Sequence, residues 1–376
     1  MYNLFLLLTE IFLVLAGLGM ALFFWYRKAT WRKLLGPRLL DSVFLQVGLP
    51  QEERRNEKEL FAAAEQFFNA FVRGEKRSLS SFLKMEEILS FEIVSFEKKI
   101  SFLVNCPKQM RDLVEKQIRL QYPTVQIKEV LPPKILLNPS GIAAVELGLQ
   151  KNYVFPFKTY KRMEADPLGT LTGNLSKLNG DETGVIQLVL GPVSPGWRSK
   201  SVKVASEIQK GASLGEETSF ALKILTVIFK GLGEAAKSFL SSKKTHEQLI
   251  RERQEKEAKR QLTPVQQDAI VRLQEKAAKN AFEANLRVVI SSTTADAAAV
   301  HMRNILSSFM QFREAAFNGF RVRRRLRAKV VKDFLFRAFN SSSFHKMIIN
   351  TEEITSIFHF HTQFPEALGI EGEKPQ

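Results

Sequence analysis

From residue 41 onward the apolar residues of this 376-residue chain recur alternately at period 2 and period 3.6. The order of those periods limits the possible folds more than any single element does. Val43, Leu45 and Val47 alternate as a strand, and Leu60, Ala63, Ala64, Phe67, Phe68 and Phe71 then recur at helical spacing over residues 57 to 73. Leu89, Phe91 and Ile93 lead through Glu97-Lys98-Lys99 into Ile100, Phe102, Val104 and Cys106, the pattern of a hairpin. Pro107 opens a helix with Met110, Leu113, Val114 and Ile118 on one face. Tyr122-Pro123 stops it, and Val125 and Ile127 begin a last strand. The result is β-α-β-β-α-β, the order of a ferredoxin-like fold.

A second pass follows the break at Pro132, Pro133 and Pro139. Ala143, Val145, Leu147 and Leu149 alternate; Leu168, Leu171, Leu175 and Leu178 form a helical stripe; Ile186, Leu188 and Leu190 predict a strand that pairs with Leu286, Val288 and Ile290. Thr293 or Thr294 caps the next helix, whose core face is Ala298, Ala299, Met302, Ile305, Leu306 and Phe309, and Phe320 and Val322 supply the final strand. The expected α+β architecture is therefore two tandem ferredoxin-like domains, residues 41–131 and 140–323, the second opened by a helical insertion over 193–282. Residues 324–376 follow as a C-terminal strand, helix and polar tail. Within the insertion, Phe220, Leu222, Leu225, Ile228, Phe229, Leu232, Ala236 and Phe239 predict a broadly apolar helix that packs on the body, on a partner or on a bilayer surface. Lys243 to Arg260 mixes both charge signs, as a solvated helix does, and Thr263-Pro264 starts another helix reaching about Asn280.

Ahead of this body, Leu4 to Tyr26 is an apolar run of about 23 residues, roughly 34 Å as a helix, enough for a hydrocarbon core of about 30 Å. Arg27, Lys28, Arg32 and Lys33 close it within a basic juxtamembrane segment, 27–40, and no positive charge precedes it. The positive-inside bias predicts a single-pass transmembrane helix in the cell (inner) membrane, with the N-terminus outside and the bulk of the chain cytoplasmic. Trp25, Tyr26 and Trp31 suit the interface, and Gly17 with Ala21 gives the small-x-x-x-small spacing that lets two helices touch as a homo-oligomer. A cleaved signal fits less well, because the start is uncharged and the run ends in Phe-Phe-Trp-Tyr.

Catalytic chemistry is hard to place on this sequence. The Gly-x-x-x-x-Gly-Lys-Ser/Thr loop is missing, so the chain is not expected to hydrolyse ATP by itself. Five histidines and one cysteine make no zinc set. His359 and His361, two apart in an apolar segment, read as buried or partner-facing, and Cys106 reads as a small core thiol. No catalytic residue, metal or cofactor is assigned, and the expectation is a non-enzyme. The net charge of +16 calls for an anionic neighbour. Its strongest concentration is Arg321, Arg323, Arg324, Arg325, Arg327, Lys329 and Lys332, with no acid among them. Three readings stay open: sequence-independent DNA binding, contact with anionic lipid, and a solvated strand edge that resists aggregation.

Several short segments resemble one bacterial family. They are Ala63-Ala64-Glu65-Gln66-Phe67-Phe68, Ser90-Phe91-Glu92-Ile93-Val94, Cys106-Pro107 before a helix ending Gln121-Tyr122-Pro123, and Asp166-Pro167-Leu168 with Leu175-Ser176-Lys177. The family is the membrane-anchored, non-ATPase region ahead of type IV secretion, conjugative DNA-transfer ATPases of candidate-phyla bacteria. Asn350-Thr351-Glu352-Glu353-Ile354 and Ile357-Phe358-His359-Phe360 resemble the stretch that leads into the ATPase core in longer relatives. The resemblance implies a scaffold subunit on which a separate P-loop ATPase docks, with Ile357, Phe358, His359 and Phe360 as the docking segment. It also implies that DNA is a possible partner.

Overall fold

The computed structural model describes residue 17 and residues 41–48, 56–72, 88–132, 141–193, 196–209, 262–324, 327–341 and 346–361. Of the Leu4–Tyr26 run only Gly17, helical and exposed, is among them. The predicted transmembrane helix, its basic flank and the inserted helices expected over 220–239 and 243–260 lie outside the described residues. Among the described residues no helix is long and apolar enough to cross a membrane.

Among the described residues nine strands form one antiparallel sheet: β1 Ser42–Gly48, β2 Leu89–Phe96, β3 Lys99–Pro107, β4 Gln126–Val130, β5 Ile142–Leu149, β6 Thr183–Pro192, β7 Ala281–Ser291, β8 Phe320–Arg324 and β9 Ile348–Asn350. The spatial order is β4-β1-β3-β2-β6-β7-β5-β8, with β9 paired to β7 beyond the end of β5. Eight α-helices are described: α1 Glu57–Asn69, α2 Arg111–Gln121, α3 Pro167–Leu175, α4 Trp197–Gln209, α5 Pro264–Ala278, α6 Ala295–Ser308, α7 Arg327–Leu335 and α8 Thr351–Ile357.

This architecture overturns the expectation of two tandem ferredoxin-like domains. β2 and β6 pair directly, from Leu89 opposite Leu190 to Ser95 opposite Gly184, so the hydrogen-bond ladder has no gap at the supposed boundary. Both strands are buried on both faces, which an edge strand of a separate domain would not be. One apolar core accordingly runs from Val43, Phe67 and Phe91 through Leu188 and Val288 to Ile305 and Phe320. The two halves repeat one strand order in mirror sense about the β2–β6 junction.

Alternation assigns the faces. Val43, Leu45 and Val47, Phe91 and Ile93, Ile186 and Leu188, and Leu286 and Val288 all point to the face covered by α1, α2, α3, α6 and α8. As expected, Ile186 lies opposite Val288 and Leu188 opposite Leu286. The other face carries Val94, Leu103, Ala144, Val185 and Val289 beneath Val330 and Phe334 of α7. α4 and α5, the described ends of the insertion, pack on each other with Val154 and Phe317 in a satellite core.

Helix starts follow capping chemistry. Asp166 accepts from the Leu168 N–H at the start of α3, Thr294 from the Ala297 N–H at the start of α6, and Thr263 with Gln266 and Asn350 with Glu353 form reciprocal capping boxes on α5 and α8.

Candidate functional site

On the α7 face the sheet register places Glu92, Gln187, Arg287, Glu146 and Arg324 side by side across five strands. The first four are buried to 1% exposure or less, so each needs an internal partner. Gln187 Nε2 donates to Glu92 Oε1 at 3.0 Å and to the Phe334 carbonyl at 3.1 Å, and its own carbonyl accepts from Arg287 Nη1 at 2.9 Å. Arg287 also donates to the Ala338 carbonyl and lies 3.5 Å from Glu146. Arg337 completes the row, donating from Nε and Nη2 to the two oxygens of Glu92 at 2.9 and 3.1 Å. Its backbone lies in the left-handed region, φ +45°, just past the end of α7, and its guanidinium lies 4.5 Å above the Phe44 ring. Burial pushes the Arg287 pKa down, against the pull of Glu146 and Asp333.

The basic run bends around this row. Arg324 Nη1 lies 3.4 Å from Glu146 and 3.2 Å from Asp333, and Arg323 Nη1 lies 3.8 Å from Glu146. Those two arginines therefore brace the chain's own acids. Arg321 on β8 and Arg327, Lys329 and Lys332 on α7 are exposed, and Arg325 lies outside the described residues. The linear sequence made seven equivalent cations, whereas the structure separates Arg323 and Arg324, which meet the chain's own acids, from an exposed set. Arg27, Lys28, Arg32 and Lys33 also lie outside the described residues.

At the far end, Ile357, Phe358, His359 and Phe360 are each at most 1% exposed. Phe358 meets Phe91 and Phe102 at ring distances of 5.3 and 5.8 Å, and Phe360 meets Phe67 and Tyr122 at 5.7 and 5.4 Å. This segment fills the core of the first half of the sheet and so presents no docking surface. The physical reason is that α8 turns the alternating aromatics toward the core, between α1 and α3.

Beside it are two clusters that sequence reasoning did not assemble. Lys276 of α5 faces Glu353 of α8 at 2.9 Å, each 1% exposed. Burial pushes the lysine pKa down and the glutamate pKa up, each opposed by its partner's charge. Lys279 bridges Glu65 of α1 at 2.8 Å and Glu352 of α8 at 2.7 Å. In the second cluster, Asp166 Oδ2 lies 3.1 Å from His359 Nε2 and 3.7 Å from His361 Nε2. The histidine pair was visible in sequence. Asp166, nearly two hundred residues away, entered the sequence reading only within Asp166-Pro167-Leu168, one of the segments that carry the family resemblance.

Two nucleophile-bearing positions resolve into structural roles. Cys106 is fully buried, and desolvation pushes its thiol up to about 12, with Arg111 opposing and Glu129 adding to the shift. Ser292 donates its hydroxyl to one oxygen of Glu182 while His301 Nε2 meets the other at 3.1 Å, so the hydroxyl's partner is the carboxylate and not the imidazole, and Ser292 is itself buried at 2% exposure.

Comparison with known proteins adds a family and no chemistry. A family model described as "Domain of unknown function (DUF8128)" matches residues 53–363, a span that takes in every strand of the sheet except β1. No curated protein matches the chain.

Proposed function

The chain belongs to that family of unknown function, and from this premise we propose that it is a non-enzymatic, membrane-anchored scaffold of a type IV secretion or conjugation-like system. In this reading residues 4–26 hold the chain in the inner membrane with the body on the cytoplasmic side, and the body positions a separate P-loop ATPase.

The observation that carries the reading is where the buried charges go. Lys276 to Glu353, Arg287 to Glu146 and Arg337 to Glu92 each tie one element to another. A body so braced holds a partner at fixed geometry, and rigidity is what a mounting platform needs. Because the aromatics of residues 357–360 are spent in the core, the ATPase is assigned to another surface.

The test is extraction of full-length chain from membranes in mild detergent, followed by identification of what co-purifies. A secretion-class ATPase in stoichiometric amount is expected, and deletion of residues 4–26 should move the chain to the soluble fraction. Recovery of the intact chain without any such ATPase, or its presence in the soluble fraction with residues 4–26 in place, would sink the reading.

A second reading, sequence-independent DNA binding near the membrane, draws on the exposed Arg321, Arg327 and Lys329. Charge reversal of these three should lower DNA retention on filters and flatten its dependence on salt. Unchanged retention and slope would leave them as the charged guard of an edge strand.

A further inference from the structure

We propose that Asp166, His359 and His361 form a binding site for a divalent transition-metal cation of the zinc class. This goes beyond the scaffold reading and does not rest on it.

Asp166, His359 and His361 each offer one ligand atom within 4.8 Å of the other two, and Asp166 Oδ2 faces the Nε2 atoms of both histidines. Ligands held at about 2.0–2.2 Å from one cation are about 2.9 Å apart at right angles and about 3.4 Å apart at the tetrahedral angle. Of the two separations, 3.1 Å falls within that range and 3.7 Å lies just above it, a gap that a small rotation of the His361 ring would close. Two imidazoles and one carboxylate are a ligand set used for zinc and for iron(II), with room left for water or a fourth group.

The hydrogen bonds around the cluster fix which atoms are free to ligate. His359 Nδ1 is 2.9 Å from the Thr355 carbonyl oxygen, a group that only accepts, so Nδ1 carries a proton. Nε2 then directs either a second proton or a lone pair at Asp166. A neutral ring would oppose lone pair to lone pair at 3.1 Å. A charged ring would be an imidazolium at 0% exposure, with a second imidazole 5.9 Å away sharing the same oxygen. A cation among the three removes both costs. The Nδ1–H to backbone carbonyl bond is also the outer contact that orients metal-binding histidines.

Asp166 is prepared in the same way. Its Oδ1 accepts from the Leu168 N–H at 2.9 Å as the cap of α3, with Pro167 fixing the turn, and Oδ2 is left to face the rings. Phe61 packs edge-on against His359 at 5.2 Å and walls the inner side. Entry is from the His361 side, where that residue keeps 13% exposure and Asp166 10%. A bound cation would fasten the C-terminal segment to the start of α3.

The full-length chain in detergent, stripped with chelator and dialysed, is titrated with Zn²⁺ by calorimetry and with Co²⁺ by visible absorption. One equivalent per chain is expected, with a Co²⁺ ligand-field band of nitrogen and oxygen ligation and a rise of several degrees in thermal midpoint on adding Zn²⁺. H361A should abolish the band and weaken Zn²⁺ binding roughly tenfold or more. Asp166→Asn keeps a capping oxygen for α3 and should do the same, with both folds checked by circular dichroism without metal. His301→Ala, outside the cluster, should change neither. Absence of stoichiometric binding to the unmutated chain, or binding indifferent to both H361A and Asp166→Asn, overturns the proposal and leaves a buried ion pair.

Discussion

Lys276 and Glu353 face each other at 2.9 Å with almost no solvent contact, and what matters for such a pair is the asymmetry of its removal. Lys276→Met alone leaves a buried carboxylate without its cation and should cost about 3–5 kcal/mol, read from the shift in denaturation midpoint. Lys276→Met with Glu353→Gln removes the unpaired charge and keeps a carbonyl oxygen for one of the two N–H groups, Asn350 and Phe157, that the two oxygens of Glu353 now serve, so the double variant should be the more stable of the two. A double variant no better than the single would mean that the charge of Glu353 has a second partner. Glu352, its neighbour, behaves differently with pH. Burial acts to raise its pKa, but hydrogen bonds from Lys161, Lys279 and Thr159 prevail and hold it below its ordinary 4.5. A carboxylate lowered in the folded state contributes stability that is present above about 4.5 and lost as pH falls through the folded value. The thermal midpoint should therefore fall on acidification below that point, and Glu352→Gln should flatten the fall. None of these pairs was legible in sequence, because period and spacing say nothing of partners dozens to hundreds of residues apart.

Among the elements, the strands read well where one face differs from the other. Val43, Leu45, Val47 and Ile100, Phe102, Val104 announce both strand and inward face, and the pairing of Ile186 with Val288 across the insertion followed from matched alternation. α2 read less well, for Leu113 was placed on its apolar face and is 41% exposed. The β2–β6 junction was hidden for a clear reason: hydrophobicity shows that a strand is buried, and leaves open which strand buries it. Phe358 and Phe360 were misplaced for a similar reason, since an apolar alternating stretch looks the same whether it meets a partner or its own core. Their contacts give a direct check. Phe360→Ala should destabilise the chain by about 3–5 kcal/mol, a loss visible in thermal unfolding. A variant as stable as the parent would return those aromatics to the surface.

The whole molecule should unfold as a unit. The ladder is continuous through β2 and β6, and α8 packs on α1 of one half and α3 of the other. Calorimetry of the body should show one transition with equal calorimetric and van't Hoff enthalpies, whereas two independently folding domains would give two. The arrangement of the last described residues has a further consequence, for synthesis. A ribosome delivers the N-terminal half first, yet that half lacks Phe358 and Phe360, which pack on its Phe67, Phe91, Phe102 and Tyr122. β2 waits until β6, Thr183–Pro192, has been made, and the first core waits about 170 residues more for the rings of Phe358 and Phe360. The nascent chain thus emerges with an open apolar flank that it cannot close alone, and chaperone occupancy should persist on it until Phe360 has left the ribosome.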